Sequence, residues 1–276
     1  MKNILILFSL IIFFTACEEK MVVIPEFVPP TTGKVVLVEE LTGVKCPNCP
    51  AGSERLAAIL ELFPDNMILV GIHGGILTEP LSTSKYDFRT EGAVFLDDYL
   101  KEYLGKPAAY FNRIFFDELD GDFGNSFNGQ WQGYIERELE KPQMMELSIT
   151  KSYNPETRLL ELTVAALALE ELNGEFKLTI LLTESDIEDA QDDQNVVIED
   201  YIHNHVLRKI ITNFDGDVFA SKLEPGKIVK KRYNFTIPED EDGLWKDDNV
   251  EVVAFVANTE GQSKEILQAA QTHLKD

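Results

Sequence analysis

Cysteine, histidine and basic residues are scarce in this chain: three Cys, four His and 25 Lys plus Arg among 276 residues, against 48 Asp plus Glu. The formal net charge of −23 excludes binding of nucleic acid or anionic lipid headgroups through a general basic surface. Solubility accounts for such a charge, and an excess of carboxylates also suits cationic ligands or calcium. Beyond residue 14 no run is long and apolar enough for a transmembrane helix. Gly-rich phosphate loops, nucleophile elbows, zinc-protease motifs and paired carboxylates are absent too, so no cofactor is expected beyond a redox-active disulfide, with calcium as the minor alternative. There is no internal repeat. The length is generous for one compact core and fits two domains.

What is present begins at the N-terminus. Met1-Lys2-Asn3 carries one positive charge, Ile4 to Phe14 is apolar but short for a bilayer span, and Phe14-Thr15-Ala16-Cys17 closes the run. This resembles a bacterial lipoprotein signal, in which Cys17 becomes the acylated first residue after removal of residues 1–16. Phe14 departs from the usual Leu or Val, and a simple secretory signal or an uncleaved anchor is the alternative. Glu18-Glu19-Lys20 resembles the surface-export tag of some lipoproteins. Residues 17–33, with Pro25, Pro29 and Pro30, read as an extended tether. The expected location is the outer membrane, on its periplasmic face or at the cell surface.

With Cys17 committed to lipid, Cys46 and Cys49 have only each other to bond to. Lys34 to Leu41 is rich in Val and Leu, as in a strand buried on both faces. After Cys46-Pro47-Asn48-Cys49, the stretch Ala51 to Phe63 carries Leu56, Ile59, Leu60 and Phe63 at helical spacing, and Met67 to Ile72 supplies a second buried strand. The order of strand, Cys-x-x-Cys, helix and strand opens a βαβ unit. Lys85 to Leu104 reads as mostly helical, Pro107 stands immediately before a strand, and Gln130 to Lys141 reads as a closing helix.

On Glu40-Leu41-Thr42-Gly43, Cys46-Pro47-Asn48-Cys49-Pro50, Gly105-Lys106-Pro107, Asn112-Arg113 and His203-Asn204-His205-Val206-Leu207-Arg208, the chain resembles the thioredoxin superfamily over about Val35 to Lys141. Within it, the resemblance is to the Omp28-related outer-membrane lipoproteins. It implies a cis Pro107 facing a disulfide, Cys46 as an exposed nucleophile, Cys49 as the resolving partner, and Glu40 as a buried acid assisting proton transfer. Cys46 is expected ahead of the helix, where the positive dipole end and Lys45 favour a thiolate. If the strand register holds, one of Glu39 and Glu40 points beneath the disulfide and the other outward; a solvated edge position is the alternative for Glu40. The chain lacks the tryptophan before the first cysteine and the Gly-Pro between the two, and Pro50 fits a helix only if that helix starts near Cys49. His73 is expected to tune Cys46 or, more simply, to hydrogen-bond a loop carbonyl.

Composition shifts after Pro142. The segments 146–153, 159–169, 176–183, 203–212, 228–237 and 250–257 read as strands, and 265–273 as a last strand or short helix. The fold class expected is therefore an α/β thioredoxin-like domain (34–142) followed by an all-β immunoglobulin-like sandwich (143–276). His203 and His205, two apart on one strand, would share a face and hold a metal with a third ligand, or serve packing. Arg208 is expected to pair with an acid. Glu184 to Asp193 reads as an acidic, solvated loop, with calcium as its alternative use.

Two functions fit. One is a lipid-anchored envelope oxidoreductase exchanging disulfides with protein thiols. The other is a noncatalytic surface lipoprotein, an adhesin or ligand-binding subunit for extracellular ligands, in which the disulfide is structural.

Overall fold

A computed structural model describes residues 33–100, 103–114, 128–239 and 243–275. The expected signal peptide, Cys17 and all of the tether except Gly33 lie outside the described residues.

The first part runs β1 (Val36–Leu41), α1 (Cys49–Leu62), β2 (Met67–Ile72), α2 (Glu91–Leu100), β3 (Ala108–Phe111) and α3 (Trp131–Leu139). β1 pairs in parallel with β2 and antiparallel with β3, and every residue of all three strands is buried. That dual burial explains the apolar runs of β2 and β3, and of β1 apart from Glu39 and Glu40. Val36 and Val38 face α1 and α3 in a core with Leu56, Ile59, Trp131 and Ile135, while Leu37 and Leu41 face the α2 side. α2 is shorter than the helix expected over Lys85 to Leu104; Thr90 Oγ1 caps it by accepting the N–H of Ala93.

The second part contributes β4 (Met145–Asn154), β5 (Leu159–Ala168), β6 (Leu172–Glu184), β7 (Ile187–Asp193), β8 (Val196–His203), β9 (Val206–Ile210), β10 (Asp217–Leu223), β11 (Ile228–Thr236), β12 (Val250–Asn258) and β13 (Ile266–His273). The sheet β11-β5-β4 packs on the face of β6, β10 and β12 and forms the sandwich. Residues 265–273, open between strand and helix in the sequence, contain a strand.

The two parts share one eight-stranded sheet, ordered β13-β12-β6-β9-β2-β1-β3 with β10 beside β6. β12 shows how. Its even positions, Val250, Val252, Ala254 and Val256, enter the sandwich core, and its odd positions, Val253, Phe255 and Ala257, enter a core shared with Leu37, Ile72, Ala93 and Tyr110. The sheet also curls back on itself: Ile266 N–H donates to Asn112 O at 2.8 Å, and Lys34 Nζ to Leu267 O at 3.0 Å.

Two sequence expectations are corrected here. Residues 203–212 are not one strand, because β8 ends at His203 and β9 starts at Val206, with His205 between them in the left-handed region (φ 54°). Glu184 to Asp193 is not a loop. It is the buried end of β6 followed by β7, which pairs with β8 as a separate two-stranded hairpin.

Candidate functional site

Cys46 and Cys49 form a disulfide with their Cα atoms 5.3 Å apart. α1 begins at Cys49, with Pro50 in its first turn, so the N–H that proline lacks would have had no intrahelical acceptor anyway. Cys46 therefore lies three residues ahead of the helix, and the end of the helix dipole sits at Cys49. The Lys106–Pro107 bond is cis. Pro107 packs on the first turn of α1 at Gly52, where a Cβ would stand 2.7 Å from its Cγ, so only glycine permits this approach.

The expected exposure of Cys46 is corrected by the structure: it is 0% accessible and Cys49 1%. The β7–β8 hairpin covers the pair. Asp192 N–H donates to Val44 O at 2.8 Å, Gln194 N–H to Pro47 O at 3.0 Å, and the buried Gln191 amide to the carbonyls of Gly43 and Cys46, each at 3.2 Å. Asp189 fastens the same hairpin on its other side by accepting the N–H groups of Lys85, Tyr86 and Ala190 at 2.7–3.0 Å. Val44, Phe88, Ile187 and Val206 make a small apolar cluster at its root. Lys45 lies 3.9 Å from Glu79, so its charge is shared with a carboxylate rather than reserved for sulfur.

Glu39 and Glu40 do face opposite sides of β1, but the outward one is not solvated. Glu39 is fully buried and forms a two-pronged ion pair with Arg113, whose guanidinium also lies over Phe255 at 4.9 Å. Glu40 points to the α1 side, is 3% accessible, and accepts only a 2.8 Å bond from Ser53 Oγ among the hydrogen bonds described. Burial raises its carboxyl to about 7 from an ordinary 4.5, with the Ser53 bond opposing the rise.

A raised carboxyl makes stability depend on pH with a definite sign. The folded chain keeps a proton on Glu40 that the unfolded chain releases, so its contribution is full below about 4.5 and is lost as pH rises through about 7. The difference corresponds to roughly 3 kcal/mol. Glu40→Gln is expected to gain stability on the wild type progressively from pH 4.5 to 7.5, read by urea unfolding. Parallel curves for the two proteins would mean that Glu40 is not held protonated.

A cavity of about 570 Å³ opens between α1 and the hairpin, lined among others by Glu40, Cys49, Ser53, His73, Tyr201 and His203. Its size is ordinary for a small-molecule pocket. The His73 ring stands 5.1 Å from Phe88 and 6.0 Å from His203, and its buried Nδ1 has no hydrogen-bond partner among the bonds described. Both imidazoles are held neutral: burial pushes His73 well below its ordinary value and His203 to about 4.

The histidine pair expected to share a strand face is split by the turn at Asn204. His203 packs tilted or edge-on among the rings of His73, Phe88 and Tyr201, whereas His205 Nδ1 lies 3.8 Å from Glu251. The acids of 184–193 are dispersed as well. Glu184 binds Arg208 at 3.3 Å and the N–H of Lys246, Asp189 holds the hairpin, and Asp192 accepts Asn195 N–H. Arg208 thus has the acidic partner expected of it. Among the described residues no three His, Cys, Asp or Glu gather as a metal-holding group.

Residues 97–276 match the model of a family described as Outer membrane protein Omp28. The chain belongs to this Omp28 family. Membership carries an envelope-associated location. No curated protein matches the chain. Among solved structures, HBP35 of Porphyromonas gingivalis superposes with a TM-score of 0.69 at 16% identity, covering 89% of this chain and 77% of that one. A protein of Agrobacterium tumefaciens does so at 0.54 and 12% identity, covering 88% and 96%. These likenesses establish the fold, a thioredoxin-like α/β unit followed by an immunoglobulin-like sandwich. The Omp28 match starts after Cys49, so the disulfide is placed by the fold and not by the family model.

Sequence reasoning missed the hairpin that covers the site of this Omp28 family member. Val196-Val197-Ile198 is a β-branched run and a strand signal, but the acids of 184–193 read as solvent-facing. Tyr201 went unnoticed for the same reason. Asn112, whose side chain bonds Leu37 N–H at 2.9 Å, and Arg113 were seen only as parts of a motif.

Proposed function

We propose that this chain is a lipid-anchored envelope thiol–disulfide exchanger whose Cys46–Cys49 pair works once the β7–β8 hairpin lifts. The observation that carries the reading is Glu40. A carboxyl buried on the α1 side of β1, with one serine hydroxyl as hydrogen-bond partner and raised to about 7, costs stability and adds no ion pair. Such a group is useful where a sulfur must gain or lose a proton near neutrality.

The step balances as follows. A partner thiolate attacks Cys46 Sγ, the Cys46–Cys49 bond breaks, and the Cys49 thiolate takes the proton of Glu40. A second partner thiolate then attacks the partner sulfur of the mixed disulfide and releases Cys46 as thiolate. The partner is oxidised to its disulfide and the pair gains two electrons. Pro107, packed on Gly52 in the first turn of α1, would border the pair.

The full burial of Cys46 favours a second reading, a surface lipoprotein in which the disulfide is structural. Cys49→Ala separates the two: exchange leaves partners trapped on Cys46 in cells, and a structural bond leaves none. A disulfide potential below about −300 mV would also remove the exchange reading. The anchor is checked by metabolic fatty-acid labelling, which Cys17→Ser should abolish.

A further inference from the structure

Thiol exchange makes no use of two histidines that line the cavity. His73 follows the last residue of β2 and His203 ends β8, and they are 3% and 5% accessible. Nδ1 of His73 and Nε2 of His203 are both buried, and neither has a hydrogen-bond partner among the bonds described. Buried polar atoms are nearly always bonded, so two unpartnered imidazole nitrogens on one cavity point to something that they bind.

The surroundings select a cation. A ring kept neutral by burial has a lone pair to give, and either tautomer can place it on the unpartnered nitrogen. Among the described residues the cavity lining includes the carboxyl groups of Glu40, Glu54 and Asp193 and no Lys or Arg. Lys106 and Arg208 bear on His73 from outside the lining, but each is matched by an acid, Asp97 and Glu184 respectively, at 3.3 Å. The number of donors narrows the ion. No three metal-ligating side chains gather among the described residues, which leaves Zn²⁺ short of its four ligands and hard cations short of oxygens. Two imidazoles suffice for a monovalent d¹⁰ ion such as Cu⁺, which accepts linear two-coordination. The ring centroids are 6.0 Å apart, and two ring radii with two metal–nitrogen bonds of about 2 Å span roughly that distance. Phe88 stands against both rings, at 5.1 Å from His73 and 4.7 Å from His203, and such an apolar neighbour suits a single charge better than a double one.

We propose that His73 and His203 form a two-coordinate site for Cu⁺ or a like monovalent d¹⁰ ion, complete when the β7–β8 hairpin is closed. The site uses the closed arrangement described above and does not depend on thiol exchange. His203 travels with the hairpin and His73 stays with the eight-stranded sheet, so an ion held by both ties the cover to the body. Binding therefore opposes opening and shields the disulfide.

The experiment is anaerobic titration of Cu⁺ against a chromophoric Cu⁺ chelator, using the full chain with Cys17→Ser and the disulfide intact, so that no free thiol competes. One ion per chain should bind, and X-ray absorption at the copper edge should show two imidazole nitrogens at about 2 Å and no sulfur. His203→Phe keeps an aromatic ring beside Phe88 and Tyr201. It and His73→Phe should each weaken binding at least about a hundredfold, since changes one shell farther out already cost about ten- to a hundredfold. His205→Asn, a residue suited to the left-handed backbone there, should bind as the wild type does. With free ion at about ten times Kd, hydrogen exchange of the Asp192 and Gln194 amides, which bond to Val44 and Pro47, should slow about tenfold, because only the closed state binds. Failure to hold the ion, binding that survives His73→Phe or His203→Phe, other neighbours in the spectrum, or amide exchange that does not slow would each overturn the inference. If a phenylalanine variant does not fold, the wild-type spectrum and amide exchange decide by themselves.

Discussion

Replacing Glu39 with alanine is expected to destabilise the folded chain by about 3–5 kcal/mol, a large share of the stability of an ordinary domain. Glu39 and Arg113 bond through both prongs at 2.7 and 2.6 Å, and their side chains are 1% and 6% accessible. Removal of the carboxylate leaves a guanidinium that cannot be neutralised by losing its proton, enclosed by Tyr99, Phe255 and the apolar face of β1. Replacing both partners by apolar residues of similar size should recover most of the loss, since the pair is penalised for its burial while either ion alone is penalised more. Urea unfolding of Glu39→Ala, Arg113→Met and the double variant gives the comparison. A loss below about 1 kcal/mol in Glu39→Ala would show that Arg113 reaches water, contrary to the packing described.

The second large effect is expected at the hairpin. Asp189→Ala should speed reduction of the Cys46–Cys49 bond by small thiols about ten- to a hundredfold while leaving the global unfolding midpoint much less affected. Asp189 is wholly buried and gathers three backbone N–H groups, from Lys85, Tyr86 and Ala190. A bond to a charged acceptor is worth about 1.5–3 kcal/mol, and only those to Lys85 and Tyr86 cross from the hairpin; with water taking over part of their contribution, a net loss of about 1.4–2.8 kcal/mol from the closed state raises the open population about ten- to a hundredfold. Reduction reads that population when opening is faster than attack. Gln191→Ala, which removes an amide bonded to the carbonyls of Gly43 and Cys46, should act in the same direction and more weakly. If Asp189→Ala accelerates reduction only in step with global unfolding, the hairpin is not an independent cover.

Much of the fold is legible in the sequence because it is written in burial. β2 and most of β12 are buried on both faces and appear as apolar runs, broken in β12 only by Glu251 and the terminal Asn258, and β5 alternates as a half-buried strand should. The helix start at Cys49 could be inferred from Pro50 alone. The failures share a different cause. Glu39, Glu184 and Asp189 are carboxylates whose partners, Arg113, Arg208 and the Lys85–Tyr86 backbone, come from elsewhere in the fold. A charged residue read locally looks solvated, and only the tertiary arrangement reveals that it is enclosed. The same holds at the site. Glu40 is identifiable by its place before the cysteines, whereas the cover over Cys46 comes from a segment about 145 residues away that the local pattern presents as an acidic loop.

The common sheet and the two-faced β12 have a practical consequence for dissecting the molecule. A fragment holding residues 143–276 alone would present Val253, Phe255, Ile266 and Ala269 to water where Leu37, Ile72 and Tyr110 now lie. A fragment ending near residue 142 would open the β2 edge that β9 now meets at Gly71. Each half carries the other's missing wall, so boundaries drawn from composition mark a change of strand chemistry rather than a place to cut. Separate expression of either half would yield sticky, edge-exposed polypeptide, and redox measurements are better made on the intact chain.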